Sequence, residues 1–287
     1  MGVNSSKKSR SIIDTEYSLI LSSSNTIYRA QSKIEGELQL NIRKKFAIEK
    51  KLRIDLIGEL IDKHKRRSQI FLTYSYPFVT SHQNGIARII RNQNSKFPFR
   101  IPLGNNLPPS CHFKEFSITY SLEIYHDGKL IPNLRKTIQL APALPPITGP
   151  LPFKTISNET TMTCTLQKSL YSNREHTLIP LRIVFDNLHD KQLQCIIIQL
   201  IQFVCLNEQK YDNEIYLNLL NNIQNEQLEI LYELDLPVNL PATYQPNRNG
   251  QPDNVPLIFI AYELRLTAQM KNTINANLTL SVPIVFD

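Results

Sequence analysis

The sequence predicts an all-β protein: two tandem β-sandwich domains joined by a short proline-rich hinge. Three observations point there. Apolar residues recur at every second position through run after run, the spacing of half-buried strands, and helical periodicity is nearly absent. The chain also repeats itself. Asn106, Leu107, Pro108, Pro109 and Ser110, followed by Ile118, Tyr120, Leu122 and Ile124, return as Asn239, Leu240, Pro241, Ala242 and Thr243, followed by Ile260, Tyr262, Leu264 and Leu266. Upstream, KKLRIDLIGELIDK over residues 50–63 is matched by KQLQCIIIQLIQFVCLNEQK over residues 191–210. Self-similarity at a fixed offset is the trace of a repeated architectural unit. Third, APALPPITGPLP at residues 141–152 has the composition of a linker and falls between the copies. The expected division is a flexible basic leader over residues 1–14, a first sandwich over 15–142, a linker over 143–153 and a second sandwich over 154–287.

Each element has its own signature. Tyr17, Leu19 and Leu21, then Ile34, Gly36, Leu38, Leu40 and Ile42, alternate as strands with turn-rich sequence between them. Across residues 51–61, Leu52, Ile54 and Leu56 face one way, Arg53 and Asp55 the other. Residues 63–67 hold four basic side chains in five and read as an exposed connection. Residues 68–94 are the least regular part of this half; Tyr74, Tyr76 and Phe78 are expected to fill a core, and Asn84-Gly85 signals a turn. Proline lacks the ladder donor, so residues 97–109 are expected as short edge strands and a crossing loop. His126-Asp127-Gly128-Lys129 is a hairpin turn, Asp-Gly supplying the positive backbone angles, and a strand over 134–140 closes the half. In the second half strands are expected near residues 163–169, 177–187, 193–206, 226–234, 257–270 and 274–286. Residues 214–224 admit a short helix despite their asparagines.

A chain of 287 residues can bury two cores. Its net charge of +7 is unevenly divided: residues 1–145 carry 23 basic and 11 acidic side chains, a net of +12, whereas residues 146–287 carry 9 and 14, a net of −5. A half this basic can hold lipid headgroups, phosphorylated peptides or nucleic acid, although lysine and arginine also simply keep a β-rich surface soluble. The anion and membrane-contact candidates are Lys7, Lys8, Arg10, Arg43, Lys44, Lys45, Lys63, Lys65, Arg66 and Arg67. The opening MGVNSSKK fits N-myristoylation of Gly2, and the adjacent basic cluster supplies the second signal that a single acyl chain needs on a bilayer. The same pattern also arises by chance in Ser-rich leaders. No apolar run approaches the ~18 residues of a spanning helix, and the run over residues 195–206 is interrupted by Gln199 and Gln202. With no apolar signal core at the N-terminus, and with Cys111, Cys164, Cys195 and Cys205 reading as buried reduced thiols, a cytoplasmic protein peripherally associated with membranes is expected.

No catalytic constellation stands out. There are eight glycines and no phosphate-cradling GxGxxG or GxxxxGK, no GxSxG elbow, and six histidines without metal-ligand spacing. His112 beside Cys111 offers a base next to a thiol, but neighbours in a strand point to opposite faces, which makes a surface histidine and a buried thiol. Neither enzymatic activity, cofactor nor metal is expected. Nucleic-acid binding by the basic half is the alternative reading, with no recognition helix, aromatic RNP-like strand or zinc module accompanying the charge.

Ile27-Tyr28-Arg29, Ile34-Glu35-Gly36, FPFRIPLGNNLPPS at residues 97–110 and ITYSLEI at 118–124 stand in the order of the N-terminal domain of the arrestin family, which this half resembles. IPL at 179–181 with Asp186-Asn187, the long strand to Leu206, LPAT at 240–243, AYELRL and SVPIVF look like its C-terminal domain. The resemblance covers roughly residues 15–287 and implies two immunoglobulin-type sandwiches of arrestin type with a hinge between them. It implies a non-enzymatic adaptor or scaffold that couples membrane-protein cargo or receptor tails to trafficking machinery, in protein transport by endocytosis or sorting, or in signal transduction. Arrestins place a buried arginine just before a Gln-x-Ala-Pro segment, paired with acids until a receptor phosphate disrupts it. Here Arg135 and Lys136 precede Gln139-Leu140-Ala141-Pro142 and are both hinge-latch candidates; both also read as ordinary exposed strand residues. The acid-bearing gate loop of visual and beta-arrestins has no counterpart between Glu229 and Asn254, the paired lysines of their first strand are missing from residues 17–21, and the PPxY motifs of alpha-arrestins are not found. The chain is similar to the arrestin-domain-containing branch reduced to two domains, with the arrestin-like retromer subunit as a more distant relative.

Overall fold

The computed structural model describes residues 15–23, 27–42, 46–48, 52–78, 88–90, 94–143, 148–157, 160–172, 177–186, 193–221, 223, 229–246, 254–271 and 277–287. They are nearly all strand. The first half runs through β1 (Thr15–Leu21), β2 (Ile27–Arg29), β3 (Lys33–Ile42), β4 (Phe46–Ile48), β5 (Leu52–Asp62), β6 (Arg67–Pro77), β7 (Arg88–Ile90), β8 (Asn94–Pro102), β9 (Cys111–His112), β10 (Phe116–His126), β11 (Lys129–Leu130) and β12 (Lys136–Ala141), with a 3-10 turn at Pro132–Leu134. The second runs through β13 (Leu151–Ser157), β14 (Thr160–Leu166), β15 (Leu170–Tyr171), β16 (Leu178–Asp186), β17 (Leu193–Leu206), β18 (Gln209–Asn221), β19 (Glu229–Asp235), β20 (Ile258–Met270) and β21 (Leu278–Phe286).

Each half pairs a small sheet with a larger one. In the first, β1-β3-β8 accompanies β2-β12-β10-β5-β6, with β9 and β11 pairing onto β10 and β4-β7 forming a separate ribbon. In the second, β13-β14-β16-β19 accompanies β15-β21-β20-β17-β18. The order of the two larger sheets is the same, strand for strand along the chain, so the repeat in the sequence is a repeat of topology. It reaches single hydrogen bonds. Ser110 N donates to Leu140 O at 2.8 Å while Leu140 N donates to Ser110 Oγ at 2.9 Å. Thr243 N donates to Phe286 O at 3.0 Å and Phe286 N to Thr243 Oγ1 at 2.9 Å. In both copies a hydroxyl residue clasps the end of the last strand of its sheet, its side chain accepting the bond that a strand neighbour would otherwise accept. Cys111 then pairs with Ile118, as Tyr244 bridges to Ile260.

Alternation sets the cores. β20 buries every second residue without a break, and Ile260, Tyr262, Leu264, Leu266 and Ala268 are all inside. In the first half Ile34, Leu38, Leu40, Ile54, Leu56, Tyr120, Leu122 and Ile138 do the same, Phe71 standing edge-on to Tyr120 at 5.8 Å. Each such side chain stabilises the fold by about 1.5–3 kcal/mol relative to leaving it in water. The chain divides into two compact units: one takes Met1–Ile61, Arg67–Gly104 and Thr119–Gln139, the other Asp62–Arg66, Asn105–Ile118 and Leu140–Asp287.

Several expectations meet their test in the elements. Asp127 (φ 53°) and Gly128 (φ 75°) make the foreseen two-residue turn, with His126 opposite Lys129. Of the helix admitted over residues 214–224, residues 214–221 are instead strand: β18 pairs with β17 from Cys195↔Asn221 to Leu206↔Gln209, because a long apolar neighbour outweighs local propensity. Leu151 and Pro152, read as linker, open β13; a proline is tolerated there because β13 is an edge strand. Within residues 97–109 there is one edge strand, the last six residues of the nine-residue β8, which carries Pro98 and Pro102. Phe78 packs against Tyr76, Phe97 and Phe99 as a core aromatic should, but Tyr74 is exposed, since β6 is an edge strand with an open outer side. The Asn84-Gly85 turn lies outside the described residues.

Candidate functional site

On β5 and β10 the apolar alternation that fills the core obliges the intervening residues to share the outer face of the sheet. They form one polar network. Arg53 Nε donates to both carboxylate oxygens of Asp55 at 3.0 Å, and its guanidinium lies 4.8 Å over the ring of Tyr125. Tyr125 Oη donates to Glu123 Oε2 at 2.8 Å, and Ser121 Oγ to Glu123 Oε1 at 3.4 Å. Asp55 is 2% exposed and Glu123 6%, so these are carboxylates taken out of water and held by partners. Burial first, then the bond to Glu123, pushes the Tyr125 phenol up to about 12, which keeps it a neutral donor.

Strand register decides between the two latch candidates. Leu122 lies opposite Lys136, so Glu123 lies opposite Arg135. Arg135 Nε is 3.2 Å from Glu123 Oε1 and its Nη2 is 3.7 Å from Glu59 Oε2, while Ser68 Oγ donates to Glu59 Oε1. Arg135 is thus shared by two acids from different strands, with its side chain 51% exposed. Lys136, one residue on, faces the other way, its Nζ 3.5 Å from the carbonyl of Leu19. A half-exposed guanidinium held by two carboxylates, one buried, can be approached by an anion that offers more charge, such as a phosphate. Neither Glu59 nor Glu123 was singled out in the sequence; the alternation of residues 118–124 and the strand over 134–140 were legible, but not that the two pair or in which register.

The basic connection is a tight turn. Asp62 organises it: Lys65 N donates to Asp62 Oδ1 at 2.9 Å and Lys65 Nζ stands 3.6 Å from Oδ2. That backbone bond, helped by the nearby ammonium, holds the Asp62 carboxyl below its usual range. Arg66 adopts a positive φ of 50°, Arg67 opens β6, and Lys63, Lys65, Arg66 and Arg67 are all exposed. Lys63 is the most committed of them, its Nζ donating to Phe113 O and its backbone N to Glu115 O at 2.9 Å. Gly2, Lys7, Lys8, Arg10, Arg43, Lys44 and Lys45 lie outside the described residues.

Cys111 is buried, which pushes its thiol up to about 12, and His112 turns outward. The pair therefore offers no thiolate and no base in reach of it. Gln202, which interrupts the apolar run of β17, is buried with a purpose: its Nε2 donates to Tyr262 Oη at 2.7 Å, and Tyr262 Oη donates to Pro241 O at 2.6 Å. Among the described residues no group of three His, Cys, Asp or Glu side chains could hold a metal ion, and no helix is long and apolar enough to cross a membrane.

Residues 157–286 match the family model of the arrestin (or S-antigen) C-terminal domain. No curated protein matches the chain. The matched region spans β14 to β21, that is, nearly all of the second pair of sheets. Together with the all-β fold of two sandwiches, the match supports membership in the arrestin family, whose members are generally non-enzymatic adaptors.

Proposed function

We propose, from the arrestin-family membership that residues 157–286 support, that this chain is an adaptor coupling membrane proteins to intracellular trafficking, in endocytosis or sorting, or to signalling. The observation that carries the reading is that match, reinforced by a first half whose larger sheet runs in the same strand order as the matched one. Docking is electrostatic. The net of +12 over residues 1–145, with Lys65, Arg66 and Arg67 exposed and consecutive, supports contact with anionic membrane, and Gly2 is the proposed acyl site beside Lys7, Lys8 and Arg10. Arg43, Lys44 and Lys45 belong to the same proposed surface. Arg135 is the proposed latch: a phosphorylated cargo tail would compete for its guanidinium with Glu123 and Glu59.

Vesicle flotation tests the docking. Binding is expected to rise with anionic lipid content and fall with salt, and reversing Lys65, Arg66 and Arg67 to Glu is expected to weaken it by about a hundredfold or more, each basic residue near such a surface contributing about 1 kcal/mol. Binding indifferent to lipid charge and salt would overturn it. Affinity for DNA or RNA that exceeds affinity for acidic vesicles and falls steeply with salt would favour the nucleic-acid reading instead. Pull-down of membrane proteins by wild type and by Arg135→Gln separates cargo binding from membrane docking: the variant is expected to lose discrimination for phosphorylated tails while floating normally.

A further inference from the structure

Among the described residues the strand β18 ends the order β15-β21-β20-β17-β18 and so presents an open edge. From Ile215 to Asn221 it reads IYLNLLN, without charge, proline or glycine, and Leu217 and Leu219 are 58% and 48% exposed. Proteins usually guard such edges with charges, prolines or bulges. Here Lys210, Asp212 and Glu214 lie before this window and the β-bulge falls at its first residue, Ile215, which leaves Tyr216 to Asn221 unguarded. One hydrogen bond tells which main-chain groups look outward: Leu219 N donates to the side-chain Oδ1 of Asn218 at 2.8 Å. Along an antiparallel strand, residues alternate between bonding one neighbour and the other. Leu217 and Leu219 therefore turn their N–H and C=O groups to the open side, and Asn218 supplies a local substitute for a missing strand.

We propose that this edge pairs antiparallel with the same edge of a second copy of the chain, about a two-fold axis through Asn218. The sequence is nearly palindromic there: Leu217 and Leu219 flank Asn218, and Tyr216 and Leu220 flank them. The two-fold sets Leu217 of one copy against Leu219 of the other, twice, so each pair exchanges two main-chain hydrogen bonds and the Asn218 residues face each other. Four leucines that are exposed in the single chain then cover one another on the outer face, beside Ile197, which lies opposite Leu219 on β17. No like charges meet inside the window, whereas an unrelated strand would have to bring the uncharged alternation that this chain already carries. A seven-residue seam buries less than the roughly 1,200 Å² of a standard stable interface, so the dimer is reversible and concentration-dependent.

Sedimentation of the full chain over a concentration series tests this. Wild type is expected to pass from monomer to dimer, and Leu219→Lys to associate roughly tenfold more weakly or not at all, with an unchanged far-ultraviolet dichroism spectrum. Should that variant misfold, Leu219→Thr keeps the strand preference and serves with the same readout. Register is read by mild oxidation of Asn218→Cys. Facing residues in a non-hydrogen-bonded pair have Cα atoms about 4.5 Å apart, within disulfide reach, so a covalent dimer above the wild-type background is expected, and none from Asp212→Cys. A wild-type chain that stays monomeric throughout, Lys and Thr variants that associate as it does, or an Asn218→Cys chain that cross-links no better than Asp212→Cys would each overturn the proposal.

Discussion

The two larger sheets share strand order and clasp, yet they take in different polar groups. The first carries carboxylates and guanidinium groups on its outer face: Asp55 with Arg53, and Glu123 with Arg135, Tyr125 and Ser121. The second carries neutral groups in its interior: Gln202, Tyr262 and the carbonyl of Pro241. The shared features are those that main-chain geometry dictates, and they recur because the topology recurs. The polar groups answer to something else. A buried carboxylate pays for its desolvation through a charged partner, for which another anion can compete, whereas an amide and a phenol satisfy each other with little outside dependence. The half with the positive surplus is thus also the half whose larger sheet buries carboxylates on its outer face; the corresponding cluster on the second sheet, Glu263 with Arg265 and Ser281, stays more exposed.

Removing a charge from the first network should have the largest effect. Asp55→Ala leaves the Arg53 guanidinium without its carboxylate in a mostly buried setting and is expected to cost about 3 kcal/mol in urea unfolding, the low end of the range for breaking a buried pair because Arg53 is partly exposed. A loss under 1 kcal/mol would mean that the two halves do not differ in this way. Tyr262→Phe comes next. It strips Gln202 of its acceptor and Pro241 of its donor, and about 1–3 kcal/mol is expected, with no dependence on salt. Adding Gln202→Leu should recover only the part due to the amide, since Pro241 O still lacks the Tyr262 hydroxyl and Asn213 Nδ2 loses its acceptor. The smallest effect tests the sameness of the halves rather than their difference: Ser110→Ala and Thr243→Val each delete one clasp bond and should each cost about 1 kcal/mol. Unequal losses would show that one clasp is dispensable, and hydrogen exchange at the amides of Leu140 and Phe286 reports the two sites separately.

Much of the fold was legible because its signals are local. β17 was readable end to end from its apolar run, and the turn at Asp127-Gly128 from two residues. β18 was not, since YLNLLNN fits strand and helix alike until β17 lies beside it. Asp55 was correctly turned away from Leu52, Ile54 and Leu56, but alternation says nothing of whether the outer face is wet, and at this position it is not. The candidate site was legible in half. Arg135 and Lys136 were both named, and adjacent residues on a strand necessarily face opposite ways; choosing between them required knowing that Leu122 stands opposite Lys136.

From its letters alone the chain settles the all-β class, the doubled plan and the uneven charge, because alternation, turn chemistry and composition are properties of short windows and need no partner. Which carboxylate meets Arg135, which carbonyl receives Tyr262 and which edge is left open are properties of register between strands far apart in sequence. That register is fixed by packing whole sheets at once, and no window of neighbouring residues contains it.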